Sequence, residues 1–167
     1  MNTQIKRNYL EINSRTQLKE KKKPFKDLII KIVDPPNFQL NKFFYKQIGK
    51  NHRWTDRLSW SESDWFKYTN NKNLQTYILK QKSDLVGYFE QIFYKGSYEC
   101  EIAYFGILEE YIGKNIGAYF LSEAIKDSFK IGSKRVWVHT CSLDHKHALN
   151  NYIARGMRIF KSEELKI

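Results

Sequence analysis

The sequence predicts a mixed α/β (α+β) fold in a single domain. Three observations carry this. Strand-like and helix-like segments are interspersed rather than grouped in separate blocks. Three strand segments between residues 74 and 108 follow one another through short turns, which implies antiparallel pairing. A strand, a glycine loop and a helix then lead to another strand, the pattern of a right-handed parallel crossover. At 167 residues, with 41% hydrophobic and 16% aromatic content, the chain can bury a real core and is not broadly disordered.

The elements follow from local signals. Residues 1–24 are expected to form a peripheral basic segment with only a short strand at Tyr9–Ile12; residues 25–167 form the domain. Asp27–Val33 is apolar and β-branched, hence a strand, and Pro35-Pro36 ends it. Asn37 caps a helix with Leu40, Phe43, Phe44, Gln47 and Ile48 at helical spacing. After the polar, tryptophan-rich run Asn51–Trp60, Ser61 and Asp64 cap a short helix carrying Trp65, Phe66 and Tyr68. Leu74–Lys80 and Leu85–Tyr94 form a hairpin across Lys82-Ser83-Asp84. Gly96-Ser97 turns into the strand Glu99–Leu108. A helix runs from about Gly117 to Lys130, and Gly132 stops it. Arg135–Cys141 is a strand, His145–Arg155 a helix capped by Gly156, and Met157–Lys161 a short last strand.

Charge and targeting signals narrow the function. The net charge is +11, and residues 1–31 hold nine Lys or Arg against three Asp or Glu. The lysines around Lys19–Lys23 are not interleaved with aromatics, as a nucleic-acid stacking surface needs, so a solvated segment is the favoured reading. No apolar run of about 18 residues is present, so no membrane span is expected. The first residues lack an apolar signal-peptide core, and Cys100 and Cys141 have neither metal nor redox spacing. A reduced, cytoplasmic setting is expected.

The chemistry concentrates in Glu99–Gly117, ECEIAYFGILEEYIGKNIG. A strand that passes through a loop with Gly113 and Gly117 into a helix aims several free N–H groups at one spot. That is an anion site suited to a phosphate-bearing ligand. A Walker loop is excluded, because Leu108 stands where its first glycine belongs and Asn115 where Ser or Thr is required. The G-x-G-x-x-G fingerprint is also absent. Farther on, Tyr152 precedes the glycine cap in Tyr152-Ile153-Ala154-Arg155-Gly156 and could give a proton to a leaving group; the alternative is a core or capping tyrosine.

Taken together, the strand, the x-x-Gly-x-x-x-Gly loop, the helix, the strand and the helix ending Tyr-x-x-x-Gly resemble the GNAT superfamily of acyl-CoA N-acyltransferases over about Glu99 to Phe160. EIAYFGILEEYIGKNIG, RVWVHTCSLDHKHALNNYIARGM and WTDRLSW look like a bacterial branch of it. The resemblance implies a GNAT-like, mostly antiparallel central sheet with helices on both faces. It implies acetyl-CoA as cosubstrate, its pyrophosphate held by the backbone of Ile112, Gly113, Lys114, Asn115, Ile116 and Gly117. It gives Ile107 and Leu108 backbone pairing with the pantetheine arm and Tyr152 the protonation of the departing thiolate. Three positions depart from the family pattern. Ile112 replaces the usual Arg or Gln, Asn115 replaces a glycine, and His145 stands where many members have Asn beside the pantetheine. The usual final strand is expected to be short or missing.

An amine nucleophile near pKa 10 must lose a proton before it attacks, so a base is useful. Glu101, Glu90 and His139 are the candidates. Glu101 is favoured because the resemblance places an acid at the start of this strand, on a face shared with Ala103, Phe105 and Ile107. Trp54, Arg57 and Trp60, with Glu90, are candidate acceptor-binding residues: the aromatics for cation–π contact, Arg57 for a substrate carboxylate. The competing reading is helix-packing core. Asp144-His145-Lys146-His147 makes no zinc set, because residues two apart on a helix do not share a face; no metal is expected. The expected activity is acetyl transfer from acetyl-CoA to a primary amine of a small molecule or peptide, by direct attack in a ternary complex, in a monomer or homodimer. The alternatives are a non-catalytic CoA-binding regulatory module and, less favoured, a nucleic-acid binder using the Lys-rich N-terminus.

Overall fold

In a computed structural model of the chain, which describes residues 4–166, the first half follows its cap and turn signals closely. The strands are β1 (Gln4–Ile12), β2 (Leu28–Ile32), β3 (Leu74–Gln81), β4 (Asp84–Tyr94), β5 (Glu99–Ile107), β6 (Arg135–Cys141) and β7 (Arg158–Lys166). The helices are α1 (Phe38–Gly49), α2 (Glu62–Thr69), α3 (Ile116–Lys130) and α4 (Ala148–Ala154). The Asn37 side chain accepts from Gln39 N–H at the start of α1. Ser61 and Asp64 close a reciprocal capping box on α2. No helix among the described residues is long and apolar enough to cross a membrane.

One sheet results, in the order β2-β3-β4-β5-β6-β1-β7. Only β5–β6 pairs in parallel, as the crossover through α3 predicted; the other neighbours are antiparallel. Helices cover both faces. Phe120, Leu121, Ala124 and Ile125 of α3 pack with Leu10, Ile12, Phe89, Ile102 and Val138 on one face. Phe44 and Ile48 of α1 pack with Tyr88 and Leu108 on the other.

Three expectations need correction. Residues 1–24 are not simply peripheral: Gln4–Ile12 is an interior strand of nine residues, lying between β6 and β7. Its partners are more than 120 residues away, and local pattern does not register such pairing. The final strand is neither short nor missing. Arg158–Lys166 has nine residues and pairs with β1 along its length. The helix expected at His145–Arg155 is shortened to Ala148–Ala154, because the Asp144 side chain accepts from Thr140 Oγ1 and from Cys141 N–H and holds the preceding residues in a turn. The segment after β1 leans on the end of α4. Lys19 N–H donates to Arg155 O, and Gly156, at φ +103°, has Gln17 O so close that a Cβ would meet it at 2.2 Å.

The feature that matters most for the site is a bulge. Glu90 pairs with Tyr104 but Gln91 pairs with Ile102, so Ala103 is an extra residue in β5. It reverses the side-chain alternation. Tyr104 joins the α1 face, whereas Ile102, Phe105 and Ile107 pack on the α3 face. Glu101 therefore does not share a face with Phe105 and Ile107, contrary to the simple alternation.

Candidate active site

The sheet parts in its middle. β5 and β6 pair only at Glu99–Glu101 against Arg135–Trp137, and beyond that point the strands separate. The gap opens a cleft of about 1000 Å³ through the sheet. On the α3 face it is lined by Gly113, Asn115, Gly117, Asn151 and Tyr152. On the α1 face it is lined by Trp54, Asp56, Tyr104, His139 and Arg7. β5 keeps backbone groups facing the gap. Leu108 N–H donates to Val86 O at 2.8 Å, so by alternation the N–H and C=O of Phe105 and Ile107 point the other way, to the edge that β6 has left.

At the α3 mouth the backbone forms a cradle. Gly113 has φ +85° and Asn115 has φ +61°, so the loop turns through two left-handed residues. Asn is among the few non-glycine residues that accept this conformation readily, and its side chain makes no cap hydrogen bond. Among the described residues, the N–H groups of six consecutive residues, 113 to 118, have no acceptor. No acidic residue occupies the first turn of α3. Six free donors at the positive end of a fifteen-residue helix, beside a cleft, form an anion-binding surface that fits a diphosphate. Lys114 is exposed beside them, its Nζ 5.7 Å from the centre of the Tyr111 ring. Ile112 lines the cleft at 39% exposure, whereas the side chain of Ile116 is core and only its N–H faces the cradle.

Tyr152 stands where the cradle meets the gap between the strands. It is 6% exposed, lines the cleft, and its hydroxyl makes no hydrogen bond among the described residues. Burial first, and the charge of Asp144 second, push its pKa well above the ordinary tyrosine value, so the hydroxyl is a held proton. Asn151 Nδ2 donates to Gly117 O at 3.3 Å and ties α4 to the cradle. His145 lines the cleft, its Nδ1 accepting from His147 N–H at 3.2 Å and its ring 5.9 Å from that of His52. Burial and then His52 lower its pKa. Among the described residues no group of three or more His, Cys, Asp or Glu is placed to hold a metal ion.

On the α1 face, Trp54 bridges the two walls, its Nε1–H donating to Asp144 Oδ1 at 3.0 Å. His139 lines the cleft opposite Tyr104, with its ring 5.7 Å from Tyr9. Burial, then the charge of Arg7, lower its pKa, so the imidazole is neutral near pH 7 and can accept a proton.

Several predicted site residues lie elsewhere. Arg57, Glu90 and Trp60 do not line the cleft. Arg57 is 6% exposed and Glu90 fully buried, with Nη1 at 2.9 and 3.1 Å from the two carboxylate oxygens. Tyr68 Oη donates to the same carboxylate at 2.6 Å. The guanidinium sits 4.1, 4.2 and 4.7 Å from the centres of the Tyr68, Tyr104 and Trp60 rings. This cluster packs as core outside the cleft lining. Glu101 is also outside the cleft lining, 3.4 Å from Tyr94 Oη, with its pKa raised by burial. Leu108 is packed against α1, and its N–H is spent on Val86.

Arg7, Tyr104 and Asp144 were missed. Arg7 falls in the basic N-terminal segment, and the positions of Tyr104 and Asp144 in the cleft depend on the bulge and the turn. The run Ile5-Lys6-Arg7-Asn8-Tyr9-Leu10 does not alternate, with three polar residues in succession, so local pattern carries no strand signal at Arg7.

Comparison with known proteins agrees with this architecture. A sequence model of the acetyltransferase (GNAT) family matches residues 33–157. No curated protein matches the chain by sequence. Among solved structures, an aminoglycoside acetyltransferase from an uncultured soil metagenomic sample, in complex with trehalose, superposes with a TM-score of 0.65 at 14% identity, over 77% of this chain and 87% of that one. A GCN5-related N-acetyltransferase from Sphaerobacter thermophilus gives 0.71 at 13% identity, over 97% of this chain. One from Kribbella flavida gives 0.67 at 14% identity, over 96% of this chain. The chain spans 51% and 57% of the length of these last two. At such identities the likeness is one of fold.

Proposed function

The chain belongs to the acetyltransferase (GNAT) family, and on that premise we propose that it transfers an acetyl group from acetyl-CoA to an amine by direct attack in the cleft. The observation that carries this is the row of six acceptor-free N–H groups, residues 113 to 118, at the mouth where β5 and β6 part. They would hold the diphosphate. The outward-facing backbone of Phe105 and Ile107 would pair with the arm that threads the gap, and Ile112 would give that loop an apolar contact where the family pattern has a charged or amide side chain.

Acetyl-CoA supplies an activated thioester when bound. The residues of the chain then bind, orient and move protons. The bulge at Ala103 leaves backbone out of the ladder beside the gap, where it would polarise the thioester carbonyl. His139 would take the proton of the attacking amine on a ring nitrogen, in preference to Glu101, which stands outside the cleft. As the new C–N bond forms and the C–S bond breaks, the Tyr152 hydroxyl would give its proton to the departing sulfur. Trp54 and Tyr104 would wall the acceptor.

The decisive experiment concerns the cradle. Gly117 has room for a side chain, since a Cβ there would meet nothing closer than 3.9 Å, so Gly117→Asp should fold. It places a carboxylate among the free donors. Calorimetry should show CoA affinity lowered by at least about 100-fold, since several charge-assisted hydrogen bonds are lost. Unchanged affinity in a folded variant would remove the cradle as the diphosphate site.

A further inference from the structure

We propose that the α1-face mouth of the cleft holds an anion site built on Arg7, and that the acceptor is therefore an amine that also carries a carboxylate, in the manner of an amino acid. This rests on the acetyl-transfer reading above and adds the class of the acceptor.

Arg7 projects from β1 on the side it shares with Ile5 and Tyr9, and it lines the cleft. Its Nε is buried and has no hydrogen-bond partner. Among the described residues, the arginine ion pairs are made by Arg15, Arg57, Arg135 and Arg158, not by Arg7. Glu163 lies directly opposite Arg7 on β7, yet it is held by Lys161 Nζ at 2.5 Å and by Tyr9 Oη at 3.0 Å. Asp144, the nearest acid of the α4 turn, is likewise taken by Trp54, Thr140 and the Cys141 N–H. Glu163 and Asp144 are thus held by other groups, Asp56 lines the same mouth, and among the described residues the Arg7 side chain makes no hydrogen bond or ion pair.

A buried donor left unpaired is costly. Arg7 and Arg155 both line the cleft with an unpartnered Nε, but Arg155 Nη1 donates to Asn151 Oδ1, whereas the Arg7 guanidinium has no partner among the described residues. A planar guanidinium fits a carboxylate through two parallel hydrogen bonds. Its position also fits the chemistry. Arg7 pairs with Cys141 and Tyr9 pairs with His139, so Arg7 sits one pleat from His139. That step is about 7 Å along the strand, a span over which one small molecule can set a carboxylate on Arg7 and an amine near His139.

The test compares amino acids with their decarboxylated amines, for example lysine with 1,5-diaminopentane and phenylalanine with 2-phenylethylamine, using the full chain and acetyl-CoA. The acid of an accepted pair should exceed its amine in kcat/KM by about 10- to 100-fold. Arg7→Met should bring that ratio close to one, Arg7→Lys should restore part of it, and Lys6→Met, on the opposite side of β1, should leave it intact. Calorimetry on the same pairs with CoA present reads the site independently of turnover, and the acid should bind the more tightly. Equal handling of both members by the wild type, or an equal loss for both in Arg7→Met, overturns the anion site alone. A wild-type chain that binds no CoA overturns the acetyl-transfer reading and this one with it.

Discussion

Two arginines on the same side of the sheet make opposite bargains with burial. Arg57 is fully partnered. Its backbone N–H donates to Tyr45 Oη, its guanidinium meets both oxygens of Glu90, and aromatic rings close over it. Arg7 is equally drawn into the protein at its Nε, yet finds no partner there. The first has its charge answered within the fold and serves stability. The second keeps its hydrogen bonds unspent beside a cleft. The tryptophan-rich neighbourhood therefore encloses its arginine, and the proposed anion site falls instead on an arginine beside the cleft with no internal partner among the described residues.

The sharpest way to break this contrast is to remove one partner of the closed pair. Glu90→Ala leaves the Arg57 charge buried without compensation and should cost about 3–5 kcal/mol in urea unfolding, whereas Arg7→Met should stay within about 1 kcal/mol of wild type. Similar costs for the two would erase the distinction. Next in size is the held proton. Tyr152→Phe should lower kcat by about 100-fold while CoA affinity measured by calorimetry changes little; an unchanged kcat would leave Tyr152 as packing. The smallest effect concerns pH. His139 has its pKa depressed below 6.5 by burial and by Arg7, so it is neutral above that value and is protonated only as pH falls through the lower one. The acid limb of kcat/KM should lie below pH 6.5, and His139→Gln should remove it and lower the rate by at least about tenfold. A limb that persists in the variant would assign the proton to another group.

Much of the fold was legible in the sequence because its signals are local. Asn37, Ser61 with Asp64, and Gly132 mark helix ends through contacts within a few residues. The cradle was legible for the same reason, since a strand, a left-handed turn and a helix N-terminus lie within ten residues. The acceptor face was legible only at Trp54 and His139. It is assembled from β1, the segment after α1, β5 and β6, and its side-chain directions depend on a one-residue bulge at Ala103. An alternating pattern carries no mark of such an insertion, so alternation alone puts Glu101 on the same face as Phe105 and Ile107, which the bulge reverses.

By itself, then, the sequence determined the elements from β2 to β6, the turn at residues 113 to 117 and the tyrosine one turn before Gly156. Those depend on backbone preference and short-range hydrogen bonding, which act between near neighbours. Only the tertiary structure decided that β1 enters the middle of the sheet, that Arg57 is enclosed and that Arg7 faces an open cleft. Whether a charge is answered depends on which groups long-range strand pairing brings beside it, and nothing within a few residues of either arginine encodes that.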